Sequence, residues 1–246
     1  IYELTAEISP GEVTLGEAHT FDYYIRSTFA ASNDGFDRIE IATPFTATVS
    51  EVEIDGVAVD FTVDETPQGH LGIQLTQDRV SQSGQLLRIR LNGLVTVYGT
   101  TFFAKVFDSQ KDELGQDVVA GDATPAAESN RLSVQGRLRS ELILDLSVSN
   151  PAFSPNGDGI NDQLQISYIL LRALREVDTD LSLRDLSGRV VRRLQSGGTV
   201  NGPQELRWDG RDDSGRAVAP GLYLLRLSIE TDTGTEERTR VVGVAY

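Results

Sequence analysis

Ten residues, Phe153 to Asp162, carry five oxygen-bearing side chains and two glycines. Oxygens at alternate positions, with a glycine where the chain turns sharply, are how a loop surrounds calcium, which takes about six to eight oxygen ligands in a flexible shell. The candidate ligands are Asn156, Asp158, Asn161 and Asp162, with Gly159 at the turn. The first position of such a loop falls on Ser154 and the last on Gln165, where a bidentate glutamate is usual. The same residues admit a reading without an ion, in which Asn and Asp side chains bond their own main chain and lock the turn. A bound calcium would raise thermal stability by mass action, and a chelator would reverse the effect.

Trp208-Asp209-Gly210, with Asp212, Asp213 and Gly215, is a second dense run. Its carboxylates beside an indole would make a further cation site or a sugar-contacting edge with Trp208 as the stacking platform. Alternatively Trp208 fills a core, sharing its face with Leu206, and the Asp and Gly residues form a hairpin turn. Proton transfer near neutral pH would fall to His19 or His70. Neither stands in a motif with a nucleophile, and no serine elbow, paired-histidine zinc helix or phosphate-cradling loop is present in the sequence. The motifs point to a non-catalytic protein with both histidines at strand edges or on the surface. Paired carboxylates for glycoside hydrolysis are the arrangement that linear spacing leaves open.

The chain that positions these runs has 246 residues, enough for one large β domain or two ordinary ones with their own cores. A formal charge of -15 excludes nucleic acid and anionic membrane surfaces as partners, since both are held by clustered Lys and Arg. Cysteine is absent, which removes disulfides, thiol catalysis and thiolate metal sites and fits a bacterial extracellular protein. Methionine is absent even at position 1, so the chain is expected to be a processed product or excised fragment of an exported precursor. No apolar run reaches the roughly 18 residues of a membrane span. The basic residues are nearly all arginine, with Lys105 and Lys111 the lysines, and arginine holds carboxylates bidentately.

Period-two alternation recurs throughout. Leu142, Leu144, Leu146 and Val148 alternate with Ile143, Asp145, Ser147 and Ser149; Leu164, Ile166, Tyr168 and Leu170 repeat the pattern, as do Tyr223, Leu225, Leu227 and Ile229. Turn signals lie between them, including Asp185-Leu186-Ser187-Gly188-Arg189 and Asp212-Asp213-Ser214-Gly215. In the first half, strands are predicted near 2 to 8, 19 to 28, 36 to 42, 47 to 54, 57 to 63, 70 to 75, 86 to 92, 94 to 107 and 131 to 136. Asp55-Gly56 marks a hairpin tip, and residues 109 to 130 read as a long loop. The prediction is an all-β chain of two consecutive antiparallel β-sandwich domains, immunoglobulin-like or jelly-roll-like, at residues 1–140 and 141–246.

Four motifs stand in order in the second half: Ala152 to Asp162, Asp185 to Arg189, Trp208 to Gly215, and Pro220-Gly221-Leu222-Tyr223. Over about residues 142 to 246 the chain resembles the immunoglobulin-like domain of the flagellar hook-capping protein. That module also occurs at the C-termini of large secreted surface proteins, including gliding-motility-associated ones. The resemblance implies an immunoglobulin-like fold in a structural, anchoring or sorting unit without shared catalytic residues. The first half resembles cohesin-like and other bacterial surface sandwiches through its strand pattern and Val13-Thr14-Leu15-Gly16-Glu17.

Both ends of the chain are strand-like. Ile1, Tyr2, Leu4, Ala6 and Ile8 belong to an alternating strand that either pairs at home or extends into the sheet edge of a neighbouring subunit, and Arg240 to Tyr246 forms an apolar strand at the other end. The expectation is therefore an extracellular or cell-surface bacterial protein, a structural subunit or C-terminal fragment of a filament, sheath or adhesive layer. It would self-associate or join another surface protein, with calcium the one cofactor in view. The competing expectation is a carbohydrate- or protein-binding module of a large secreted protein, using the face of residues 1 to 140, its 109 to 130 loop, or exposed aromatics among Phe21, Tyr23, Tyr24 and Phe36.

Overall fold

The computed structural model of the protein describes residues 2–30, 34–43, 47–66, 69–111, 114–137, 139–232 and 234–246. Among them no helix forms, and the strands divide between two compact units, Ile1–Leu138 and Arg139–Tyr246.

The first unit contains β1 (Tyr2–Ser9), β2 (Glu12–Thr14), β3 (Ala18–Phe29), β4 (Arg38–Ala42), β5 (Ala47–Ile54), β6 (Val57–Ala58), β7 (Phe61–Thr66), β8 (His70–Leu75), β9 (Leu86–Leu94), β10 (Gly99–Thr101), β11 (Phe103–Phe107), β12 (Gln116–Asp117), β13 (Val119–Ala120) and β14 (Ser133–Arg137). They build a six-stranded sheet β13-β1-β3-β9-β5-β6, a five-stranded sheet β12-β11-β4-β8-β7, and a small sheet β10-β14-β2. Alternation decides which side chains are buried: Phe21, Tyr23 and Ile25 of β3 and Ile89 and Leu91 of β9 are buried, as are Ile39 and Ile41 of β4. Phe21 stacks on Phe102 at 5.7 Å between ring centres, and the Tyr23 hydroxyl donates to Phe102 O at 3.1 Å. On the other face of the six-stranded sheet, Arg88 and Arg90 of β9 are paired with Asp22 of β3 and with Glu51 of β5, a ladder of opposite charges across three strands.

The second unit contains β15 (Ile143–Val148), β16 (Ala152–Phe153), β17 (Leu164–Leu170), β18 (Val177–Arg184), β19 (Val190–Thr199), β20 (Gly202–Trp208), β21 (Gly221–Thr231) and β22 (Gly234–Val244). They form sheets β15-β17-β20 and β16-β22-β21-β18-β19. One core lies between them, joining Leu164, Ile166 and Tyr168 to Leu181, Leu183, Leu225, Leu227 and Val242, with Trp208 and Phe153 closing one end. This is a β-sandwich. Among the described residues pairing is antiparallel except for the short pairs β1–β13, β2–β14 and β16–β22.

Several predicted strands differ in detail. The run 57 to 63 is two strands, because Val59 N bonds back to Val52 O at 3.0 Å and ends β6. The run 94 to 107 is also two, since the chain passes from the small sheet to the five-stranded one at the buried Phe102. The predicted loop 109 to 130, of which residues 112 and 113 lie outside the described residues, carries two short strands: β12 adds to β11 and β13 to β1, so each large sheet has an edge covered. The alternation of Leu142, Leu144, Leu146 and Val148 does not hold. A bulge between Leu144 and Ser147, with Asp145 at φ 53, shifts the phase, and Ile143 and Leu146 are the buried residues. At Asp55-Gly56 both residues have positive φ, 52 and 79, the mirror-image turn that suits a two-residue hairpin.

Gly35 separates conformational from steric cost. It sits at φ +81 beside the Phe36–Val80 bridge, and a Cβ there would lie 1.9 Å from Val80 O. Gly84, at φ +88, has open space where a Cβ would go. Urea unfolding should therefore show Gly84→Ala costing about 1–2 kcal/mol from the left-handed backbone alone and Gly35→Ala costing at least about 3 kcal/mol. Equal losses would mean that the Phe36–Val80 bridge yields without penalty.

Candidate functional site

The loop between β16 and β17 bonds to itself. Both oxygens of Asp162 accept main-chain N–H groups, Gly157 N on Oδ1 and Gly159 N on Oδ2, each at 2.7 Å. Asn156 Oδ1 accepts Asp158 N at 2.9 Å, and Asp158 Oδ1 accepts Ile160 N at 2.8 Å, two successive Asx turns. Asn156 Nδ2 donates to Asp158 Oδ2 at 3.1 Å, and Asn161 receives Asn150 Nδ2 on its side chain at 2.8 Å and Ser154 N on its main chain at 3.0 Å. The donor set this loop would offer calcium is two carboxylates and two amides, and all four carboxylate oxygens already accept an N–H. Among the described residues, no group of three or more His, Cys, Asp or Glu side chains is arranged to hold a metal ion.

The two dense runs of the sequence meet in space. Phe153 and Trp208 lie 5.2 Å apart between ring centres, Trp208 meets Tyr223 edge-on at 5.8 Å, and Gly210 packs on Pro155 so closely that a Cβ would come within 2.5 Å of its ring. Trp208 is buried, with Nε1 donating to Arg211 O at 2.8 Å, and is a core residue with no face free for stacking.

Asp212 organises the adjoining turn. It accepts Ser214 N and Arg216 N, each at 2.9 Å, and Gly215 N returns to Asp212 O at 3.0 Å. Asp185 does the same for Ser187 N at 3.0 Å and Arg189 N at 3.1 Å, with Gly188 N on Asp185 O at 2.9 Å. The pattern Asp-x-Ser-Gly-Arg thus occurs twice and folds identically, a repetition visible in the sequence. Hydrogen bonds, led by the Ser187 and Ser214 hydroxyls, hold Asp185 and Asp212 below the usual carboxylate pKa. The second turn also covers β19: Asp213 N donates to Val191 O, and Asp213 Oδ1 accepts Arg193 N, both at 3.1 Å.

In the first unit, Glu7 is buried under the 109 to 130 excursion, with Oε1 accepting Ala123 N at 2.8 Å and Thr124 N at 2.7 Å. Nothing in the run Ala6-Glu7-Ile8 announces this latch, since alternation places Glu7 on the outward face. Asp37 holds the excursion's start, accepting Ser109 N at 2.7 Å and its hydroxyl at 2.6 Å. Beside it, burial alone would raise Asp108, but Arg79 at 3.0 Å and Gln110 N at 3.2 Å hold it below its ordinary value.

The remaining candidates are dispersed. His19, half-buried on β3, donates from Nε2 to Thr14 O at 2.9 Å, and His70 is exposed on β8. Phe21, Tyr23 and Phe36 are buried and Tyr24 half-buried, so they form no exposed aromatic platform. Ile1 lies outside the described residues. Tyr2 pairs with Phe29 on β3, and Leu4, Ala6 and Ile8 are buried. The other edge of β1 is met by β13, Gly121 N and Arg131 O, which is the home-paired arrangement. The C-terminal strand β22 likewise has a neighbour on each side, β21 and β16.

The geometry defines a β protein of two sandwiches, the second immunoglobulin-like. Residues 160–233 of that unit match the FlgD Ig-like domain family. No curated protein matches the chain. Among solved structures it is similar to dimeric latent PorU from Porphyromonas gingivalis, at 15% identity over 95% of this chain and 18% of that one, TM-score 0.35. It is similar to the full-length major pilin SpaD from Corynebacterium diphtheriae, at 11% identity over 96% of this chain and 58% of that one, TM-score 0.37. The sixth cohesin of scaffoldin B from Acetivibrio cellulolyticus, solved in complex with a Cel5 dockerin mutant, matches at 12% identity over 55% of this chain and 99% of that one, TM-score 0.31. The chain thus spans 18% of the PorU chain and 58% of SpaD.

Asp162→Ala removes the acceptor of two turn N–H groups and should lower the stability of the second unit by about 0.5–2 kcal/mol, as loss of a helix cap does. Calcium and EDTA should leave the melting temperature of the parent chain unchanged; a calcium-dependent rise that Asp162→Ala abolishes would mean the loop gives up its N–H bonds for an ion. Asp108, Asp185 and Asp212 have folded pKa values below their unfolded ones, so their contribution is full above about pH 4 and fades as pH falls through the lowered values. Urea midpoints should therefore drop on acidification below about pH 4, and Asp212→Asn should drop less.

Proposed function

We propose that this protein is a structural part of an extracellular bacterial surface assembly, as a subunit or as the C-terminal portion of a larger surface protein. The observation that carries this reading is where its polar chemistry goes. The oxygen-rich clusters are engaged in holding turns, and short strands and turns cover the edges of β1, β11, β22 and β19. A protein that controls its sheet edges at so many places regulates which edges other chains can join. The FlgD Ig-like match at residues 160–233 supports a spacing or anchoring role for the second unit. Among the described residues no helix is long and apolar enough to cross a membrane, and the -15 charge suits a solvated outer surface.

Electron microscopy of the protein as released from cells tests this directly. Ordered filaments or sheets are the expected result. Uniform particles of single-chain size would overturn it in favour of a ligand-binding module.

A further inference from the structure

In the second unit, most strand edges are covered or bent. β16 lies along β22, the 212–216 turn engages Val191 and Arg193 of β19, and a bulge distorts β15. β20 differs: among the described residues it pairs with β17 and with no other strand.

The register with β17 sets the direction of its main-chain groups. Gln165 of β17 faces β15, because its carbonyl accepts Ser149 N at 2.9 Å. Its opposite number on β20 is Arg207, so that pair is a non-hydrogen-bonded position of the β17–β20 ladder. The N–H and C=O of Arg207 therefore point away from β17 toward the open edge, and alternation sends those of Glu205 the same way. Pro203 also falls on this side, where its missing N–H breaks no bond to β17. Glu205 and Arg207 are exposed, two residues apart on one face, and among the described residues neither has an ion-pair partner.

We propose that β20 is a self-pairing edge, joining antiparallel to β20 of a second copy about a two-fold axis at Leu206. This deepens the assembly reading above and rests on it. The register places Glu205 opposite Arg207 of the second copy and Arg207 opposite its Glu205. These are the residues whose main-chain groups face outward, so each pair exchanges both N–H···O bonds while the side chains form opposite-charge pairs across the strands. Moving the axis one residue sets Glu205 against Glu205 or Arg207 against Arg207, so charge selects one register from its neighbours. Pro203 falls beyond the paired stretch and ends it. Leu206, half-buried, meets Leu206 of the second copy on the core side. The sheet β15-β17-β20 would then continue through the axis into its counterpart, an isologous contact that closes at two chains.

Sedimentation of the full chain across a concentration series tests the edge. The parent chain should show a monomer–dimer equilibrium that weakens with salt. Glu205→Arg and Arg207→Glu should each weaken it by at least about tenfold, because each sets like charges opposite one another. An equimolar mixture of these two variants should recover the dimer, since one variant then carries two positive charges on the edge and faces two negative charges on the other. The double reversal within one chain should recover it as well. That recovery also shows that the variants fold. Dimers indifferent to both reversals, or variants that do not recover on mixing, would overturn the inference. If the parent chain forms filaments by electron microscopy while its dimers in solution ignore the reversals, this edge is excluded and the assembly reading stands; a parent chain that is monomeric in solution and in micrographs overturns both.

Discussion

A β chain must find acceptors for main-chain N–H groups wherever its strands stop, and here acidic side chains supply them. Glu7 takes Ala123 and Thr124, Asp37 takes Ser109, Asp55 takes Leu86, and Glu236 takes Leu142 and Ile143 where the second unit begins. Asp162, Asp185 and Asp212 do the same for their own turns. A carboxylate can accept several N–H bonds at once, and such charge-assisted bonds are stronger than neutral ones. The excess of 37 acidic over 22 basic residues is thus partly an architectural requirement, whatever it also does for solubility.

The same interaction reaches the sheet edges. Asp213 presents a main-chain N–H and a carboxylate oxygen to β19 at the spacing another strand would offer, and Glu7 holds down the excursion that brings β13 to β1. Edge covering and turn locking are one device in these units: a side-chain oxygen fixes a loop, and the loop occupies main-chain groups that would otherwise seek another chain. β20, which among the described residues has no such covering strand, stands out for that reason.

Much of the architecture was legible because burial has a period of two. Strands such as β3, β17 and β21 follow their alternation, and the Asp55-Gly56 hairpin follows its turn chemistry. The phase of β15 was not legible, because a bulge inserts a residue without a compositional signature; Asp145 takes a positive φ in a run that otherwise reads as regular strand. The oxygen-rich loop stands out in the sequence, but linear spacing cannot say whether oxygens converge on a point or turn back on nearby N–H groups. Nor could it show that Phe153 and Pro155 pack against Trp208 and Gly210, a contact set by tertiary folding. Glu7 gave no signal at all, since what buries it comes from more than a hundred residues away in sequence.

Trp208 has one more consequence. It is the chain's sole tryptophan, fully enclosed in the second unit between Phe153 and Tyr223. Indole emission therefore reports on that unit alone, while the backbone signal of circular dichroism sums over both. The molecule carries its own spectroscopic label for deciding whether the two sandwiches melt together or in turn.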